Sequence, residues 1–122
     1  MVPEIGPTAH LLERLRIAQG EPLSLTAAYL PEPIGHYLGR LLPSRASIVT
    51  MLDRLGPPTV GIRCSVGVTP ADVEAAHALE VPLGAPLLRV RAILTDESGA
   101  LRAVLESLCR SDRLQLQVLE RT

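Results

Sequence analysis

Between Leu87 and Glu120 the apolar residues fall into three short runs of period two. Leu88, Val90, Ala92 and Leu94 share one parity, with Arg89 and Arg91 on the other. Leu101, Ala103 and Leu105 alternate with Arg102, Val104 and Glu106; Leu114, Leu116 and Val118 alternate with Gln115 and Gln117. Such alternation predicts strands with one buried face. Asp96-Glu97-Ser98-Gly99 suits a hairpin loop in which Gly99 takes a positive φ, and Ser111-Asp112 is short enough for another. The last third is therefore predicted to be an antiparallel three-stranded meander. A meander with one apolar face is not stable alone in water, so the other two thirds must cover and extend it.

Upstream the same signals recur. Leu11, Leu15 and Ile17 alternate with Leu12, Arg14 and Arg16. Gln19-Gly20-Glu21-Pro22 reads as a turn, and Leu23 to Leu30 as a second strand. Leu23, Leu25, Ala27 and Tyr29 lie on one face of that strand; Ser24, Thr26 and Ala28 lie on the other. Pro31 and Pro33 end the hairpin. Ile34 to Leu38 suffices for one helical turn. A helix follows, with Ser44 as N-cap and a core stripe of Ile48, Met51, Leu52 and Leu55. Gly56 and Pro57-Pro58 stop it. Val60 to Val68 alternates as a strand; Thr69 is the expected N-cap and Pro70 the first residue of a helix burying Val73, Ala76 and Leu79. Pro82, Gly84 and Pro86 link it to the meander. The order predicts an α+β domain: a mostly antiparallel sheet of about six strands, with flanking helices on its apolar face. A doubly wound parallel sheet is disfavoured, because the hairpins contain no crossover helices.

Composition narrows the picture. A chain of 122 residues makes one domain with one core. Without Phe or Trp, that core is built from Leu, Val, Ile and Ala. Residues 1–9, with Pro3, Gly6 and Pro7, read as a loose arm before a domain spanning 10–122. The net charge of −1 excludes a broadly basic nucleic-acid surface. No apolar run reaches the ~20 residues of a membrane span, and no signal peptide opens the chain. Cys64 and Cys109 lack CxxC spacing and read as two buried, reduced thiols of a cytoplasmic protein. The scattered His10, His36 and His77 give no metal site. No GxSxG, GxGxxG, P-loop or HExxH is present, so neither a cofactor nor a catalytic motif is expected.

Several stretches, in order, carry a family resemblance. Arg14-Leu15-Arg16, Gly20-Glu21-Pro22 and Tyr29-Leu30-Pro31 resemble the opening of the UTRA domain, the effector-binding domain of HutC-type GntR bacterial transcription regulators. Leu79 to Val90 resembles its middle signature, and Arg110-Ser111-Asp112-Arg113 its Arg-Gly-Asp-Arg turn. The resemblance implies a chorismate-lyase-like fold, a small-molecule effector and a homodimer. It also implies DNA binding through an N-terminal winged helix-turn-helix that this chain does not include.

Arg14 and Arg16, two apart on one strand, project from the same face about 7 Å from each other. Two guanidiniums so placed either grip one anion by charge-assisted bonds or simply solvate a strand face. The resemblance favours the first, since similar family members hold an effector's phosphate with the matching arginines. Ser47 adds hydroxyl and first-turn N–H groups to that grip, or else helps to cap its helix. Members that bind amino-sugar phosphates carry Glu, Glu and Tyr where Thr26, Ala103 and Cys109 stand here. The resemblance therefore implies a ligand-binding set of Arg14, Arg16, Ser47, Thr26, Ala103 and Cys109. Its anion grip is kept, while the groups that read a sugar are replaced. The expected effector is a phosphate or carboxylate on a body less polar than a hexosamine. The alternative is a chorismate-lyase-like enzyme acting on an anionic ring substrate, which would need a general acid beside the arginines. Thr26 shares their face only if even residues stand opposite even residues across the first hairpin. A three-residue loop or a bulge would achieve that; a plain two-residue Gln19-Gly20 turn would put Leu23 and Leu25 there instead.

Overall fold

The computed structural model describes residues 10–32, 34–38 and 48–112. The alternating segments pair into one antiparallel sheet. Its strands are β1 (His10–Ala18), β2 (Glu21–Leu30), β3 (Gly61–Pro70), β4 (Pro86–Thr95) and β5 (Leu101–Arg110), in the spatial order β1-β2-β5-β4-β3. The expected α+β class and antiparallel pairing hold, with five strands among the described residues. The sixth expected strand, Leu114 to Val118, lies outside them, as do Ser44 and Ser47.

The register assigns every strand residue to one of two faces. Leu12, Ala28, Leu105, Ala92 and Cys64 form one row across the sheet, and every second row to either side shares its face. On this first face α1 (Ile34–Leu38) and α2 (Ile48–Arg54) cover one end. Ile48, Met51 and Leu52 of α2 pack on Ala28, Leu30, Leu94 and Ala103. On the second face α3 (Val73–Leu79) buries Ala75 and Leu79 against Leu87, with Leu25 and Leu108 alongside. This corrects the expectation of one covered face. The central strand β5 shows why: its neighbours Ala103 and Val104 point to opposite faces, and both are fully buried. Each side of the sheet therefore needs its own cover.

Two irregularities steer side chains. Gln19 (φ 53) and Gly20 (φ 77) form a two-residue turn with both residues at positive φ, as a type I′ hairpin requires. The ladder then shifts between Arg16 and Ile17: Ile17 faces Pro22 and Arg16 faces Ser24, leaving Leu23 as the extra residue of a bulge. The second shift places Leu94 opposite Ala103 and Thr95 opposite Leu101, so Arg102 is extra on β5. Its guanidinium Nη2 donates to the Leu52 carbonyl at 2.7 Å, in the last turn of α2, where a cation suits the helix dipole. Arg102 is only 5% exposed, so the sheet and helix are joined through a buried charge.

The start of α3 also departs from expectation. Thr69 and Pro70 remain in β3, paired with Leu87 and Pro86, and the N-cap is Asp72. Asp72 Oδ1 accepts the Ala75 N–H at 2.8 Å. Pro70 is tolerated in the ladder because β3 is an edge strand. At the other end Val81 N–H donates to Ala76 C=O at 3.1 Å, while Glu80 holds a left-handed conformation at φ 56, ψ 47. This is a Schellman cap with a β-carbon at the position that favours glycine. Glu80→Gly should therefore stabilise the domain by roughly 1 kcal/mol, by removing the left-handed penalty. Urea denaturation monitored by circular dichroism will show this as a raised midpoint with an unchanged slope.

Candidate functional site

The Leu23 bulge brings even residues opposite even residues across the first hairpin. Arg14 stands opposite Thr26 and Arg16 opposite Ser24. Without it, the two-residue turn would have set Leu23 and Leu25 beside the arginines. Two rows then cross the first face side by side. One runs Arg14, Thr26, Ser107, Val90, Val66; the other runs Arg16, Ser24, Cys109, Leu88, Val68. Thr26 Oγ1 and Ser107 Oγ share a hydrogen bond at 2.8 Å. Arg14 Nη2 lies 3.9 Å from Met51 Sδ, so its side chain leans on α2 while Arg16 is exposed. None of the ten positions in these rows carries an acid. The strand acids Glu13 and Glu106 project from the second face, where Glu106 Oε1 accepts from Arg89 and Arg91 at 3.2 Å each. The first face therefore offers two cations and three hydroxyls with no carboxylate in their rows, which is a favourable field for an anion.

Of the expected site residues, Arg14, Arg16, Thr26 and Cys109 come together here. Ser24 and Ser107 join them; their signal in the sequence was a parity shared with Thr26 and Cys109. Ala103 shares the face but lies four residues from Ser107 along β5, about 13 Å away. It is fully buried in the core beneath α2. Ser47 lies outside the described residues. Cys109 is nearly buried beside Ser24. Burial pushes its thiol pKa up, opposed by the Arg16 guanidinium.

A cleft of about 320 Å³ opens on the second face, under the start of α3. Thr26 contributes to its wall, but neither Arg14 nor Arg16 does. Glu13, Asp72, Glu74 and Glu106 line it against Arg89 alone among the cations. Carboxylates in that majority repel an anion, so the cleft is not the counterpart of the arginine pair. Among the described residues, no group of three His, Cys, Asp or Glu could hold a metal ion, and no helix is long and apolar enough to cross a membrane.

A family model for the UTRA domain matches residues 5–115. The chain belongs to the UTRA domain family. No curated protein matches it by sequence. Among solved structures, the effector domain of PhnF from Mycobacterium smegmatis is similar to this UTRA domain at 18% identity and TM-score 0.87. That match covers 98% of this chain and 76% of that one. Against the longer PhnF structure, identity is 19% and the TM-score 0.85, covering 91% of this chain but only 49% of PhnF. A GntR-family transcriptional regulator from Enterococcus faecalis V583 matches at 20% identity and TM-score 0.72, covering 90% of this chain and 79% of its own. At these identities the likeness is one of fold. It agrees with the expected architecture of the UTRA domain.

The two thiols provide a check on the site's burial. The expectation of two buried thiols holds for Cys109 alone: Cys64 is exposed on the edge strand β3, whereas Cys109 is buried with a raised pKa. A raised pKa leaves less thiolate at any given pH, and thiolate is the reactive form. Iodoacetamide at pH 8 should modify Cys64 in the folded domain and reach Cys109 only after denaturant is added. Peptide mass mapping before and after unfolding reads this directly.

Proposed function

We propose that this UTRA domain is the effector-sensing part of a GntR-type transcription regulator of HutC type. In this reading a small phosphate or carboxylate ligand binds at Arg14 and Arg16. The carrying observation is the arginine pair set beside Ser24, Thr26 and Ser107 in rows without an acid. The PhnF effector domain and the Enterococcus faecalis regulator share the fold, which favours a regulatory role over catalysis. The bound anion controls operator binding by a separate winged helix-turn-helix in the cytoplasm. The enzyme alternative needs a proton donor beside the arginines; the strand acids Glu13 and Glu106 lie on the other face, and Glu21, opposite Ala18, stands by the hairpin turn outside both arginine rows. Ala103 lies in the core away from the arginines, while the small or weakly polar groups at Thr26 and Cys109 favour a body less polar than a hexosamine. An amino sugar would leave hydroxyls unpaired there, at about 1–3 kcal/mol each.

Calorimetry against phosphosugars, aromatic acids and aliphatic acids tests this. Hydrogen bonds to charged groups contribute about 1.5–3 kcal/mol, so Arg16→Ala should weaken the best ligand by roughly ten- to a hundredfold. Tightest binding by glucosamine 6-phosphate would overturn the reading of the substituted positions Thr26 and Cys109.

The domain is also proposed to form a homodimer, the commonest closed assembly. The proposal rests on β3, an edge strand among the described residues, along which a second copy pairs by backbone hydrogen bonds. Sedimentation velocity at micromolar concentration should give twice the chain mass. A monomer there would count against the dimer.

A further inference from the structure

The two rows through the arginines change character in one direction. From β1 to β3 they run guanidinium, hydroxyl, hydroxyl or thiol, branched aliphatic, Val. Next to them, Ala92 on β4 and Cys64 on β3 continue the uncharged surface. The apolar end is open: Val66 is 49% and Val68 71% exposed, while Leu88 and Val90 are half-buried between them and β5. On the opposite face the same two strands carry Arg63, Ser65, Gly67, Arg89 and Arg91. Leu87 and Ile93 also lie on that opposite face but are buried or half-buried. The exposed large apolar side chains of these two strands, Ile62, Val66 and Val68, thus all lie on the face that bears Arg14 and Arg16. Neighbouring strands lie about 4.8 Å apart, so the valines of β3 stand roughly 19 Å from the arginine backbone, and those of β4 about 14 Å. Ser24 and Cys109 interrupt one row by being buried, but no position from Arg14 through Thr26, Ser107 and Val90 to Val66 is buried. A surface running from cation to aliphatic along that row matches a molecule with an anionic head and an apolar tail.

We propose that the ligand is an anionic amphiphile, lying across the strands on the α2 side of the sheet. Its phosphate or carboxylate head sits on Arg14 and Arg16. Its tail runs over Leu88 and Val90 to Val66 and Val68. This rests on the reading of the arginine pair as an anion site and adds the direction, length and chemistry of the rest of the ligand. The hydroxyls of Thr26 and Ser107 then lie under the head and its first atoms, and no charged group of the two rows lies under the tail. A compact phosphosugar would leave the β3–β4 end uncovered.

The test is a titration series of ethyl, butyl, hexyl and octyl phosphate, each below its micelle concentration, followed by calorimetry. Affinity should rise about two- to fourfold per added methylene as the tail reaches β4 and β3. V66S/V68S, at exposed positions that folding does not need, should flatten the rise for octyl phosphate and leave ethyl phosphate unchanged. Arg16→Ala should weaken every member of the series alike. If ethyl phosphate binds in an Arg16-dependent way but longer tails bind no tighter, the amphiphile is wrong and the anion site stands. If no alkyl phosphate binds, both readings fall. A tail-length gain that survives V66S/V68S overturns the path across β4 and β3. If V66S/V68S instead splits a dimer and octyl phosphate gains nothing, the valines form a contact between copies of the chain, and the amphiphile is again overturned.

Discussion

One extra residue decides what the first face of the sheet can do. The Gln19-Gly20 turn alone would pair residues so that Leu23 and Leu25 flank the arginines. The bulge at Leu23 shifts the ladder by one and sets Ser24 and Thr26 there instead. Side chains alternate with a period of two, so a slip of one exchanges a whole face. Everything downstream inherits that choice, because β5 registers on β2, β4 on β5 and β3 on β4. The bulge thus fixes which groups the guanidiniums meet on all four other strands.

The second constraint joins sheet to helix. A bulge on β5 lets Arg102 reach the Leu52 carbonyl of α2, and the same helix presents Met51 to Arg14. Burial of a guanidinium whose Nε lacks a partner is unfavourable in itself. The bond to the last turn of α2 offsets part of that penalty. It also positions the helix that the anion-facing arginine leans on. Asp96, which begins the adjacent loop, is kept ionised chiefly by the Ser98 hydroxyl, with the Arg102 charge a smaller contribution.

Periodicity made the strands legible, and Gly and Pro marked most of their ends. The stripe of Ile48, Met51 and Leu52 was readable for the same reason, since a helix shows its buried face at regular spacing. Bulges are not readable this way, because nothing in alternating residues says where one is skipped. That is why Arg102 was expected opposite its actual role. The α3 cap was misplaced because Thr69-Pro70 satisfies the rules of a helix start as well as those of an edge strand. Only pairing with Pro86 and Leu87 decides between them. The separation of Ala103 from Arg16 was equally hidden: parity gives the face, but not which part of it a helix covers. Ser24 and Ser107 were passed over because single serines on a strand carry no signal until a partner strand places them.

None of the ten residues of β3 is buried. The strand is held by backbone hydrogen bonds to β4 and by little else, so its detachment needs far less free energy than unfolding the core. It should therefore spend part of its time away from the sheet, leaving β4 as the transient edge. Anything that binds across β4 and β3 must first draw on the population in which they are joined. Its occupancy would then be reported by slower amide exchange along β3, a signal arising at the sheet's far margin from the arginines.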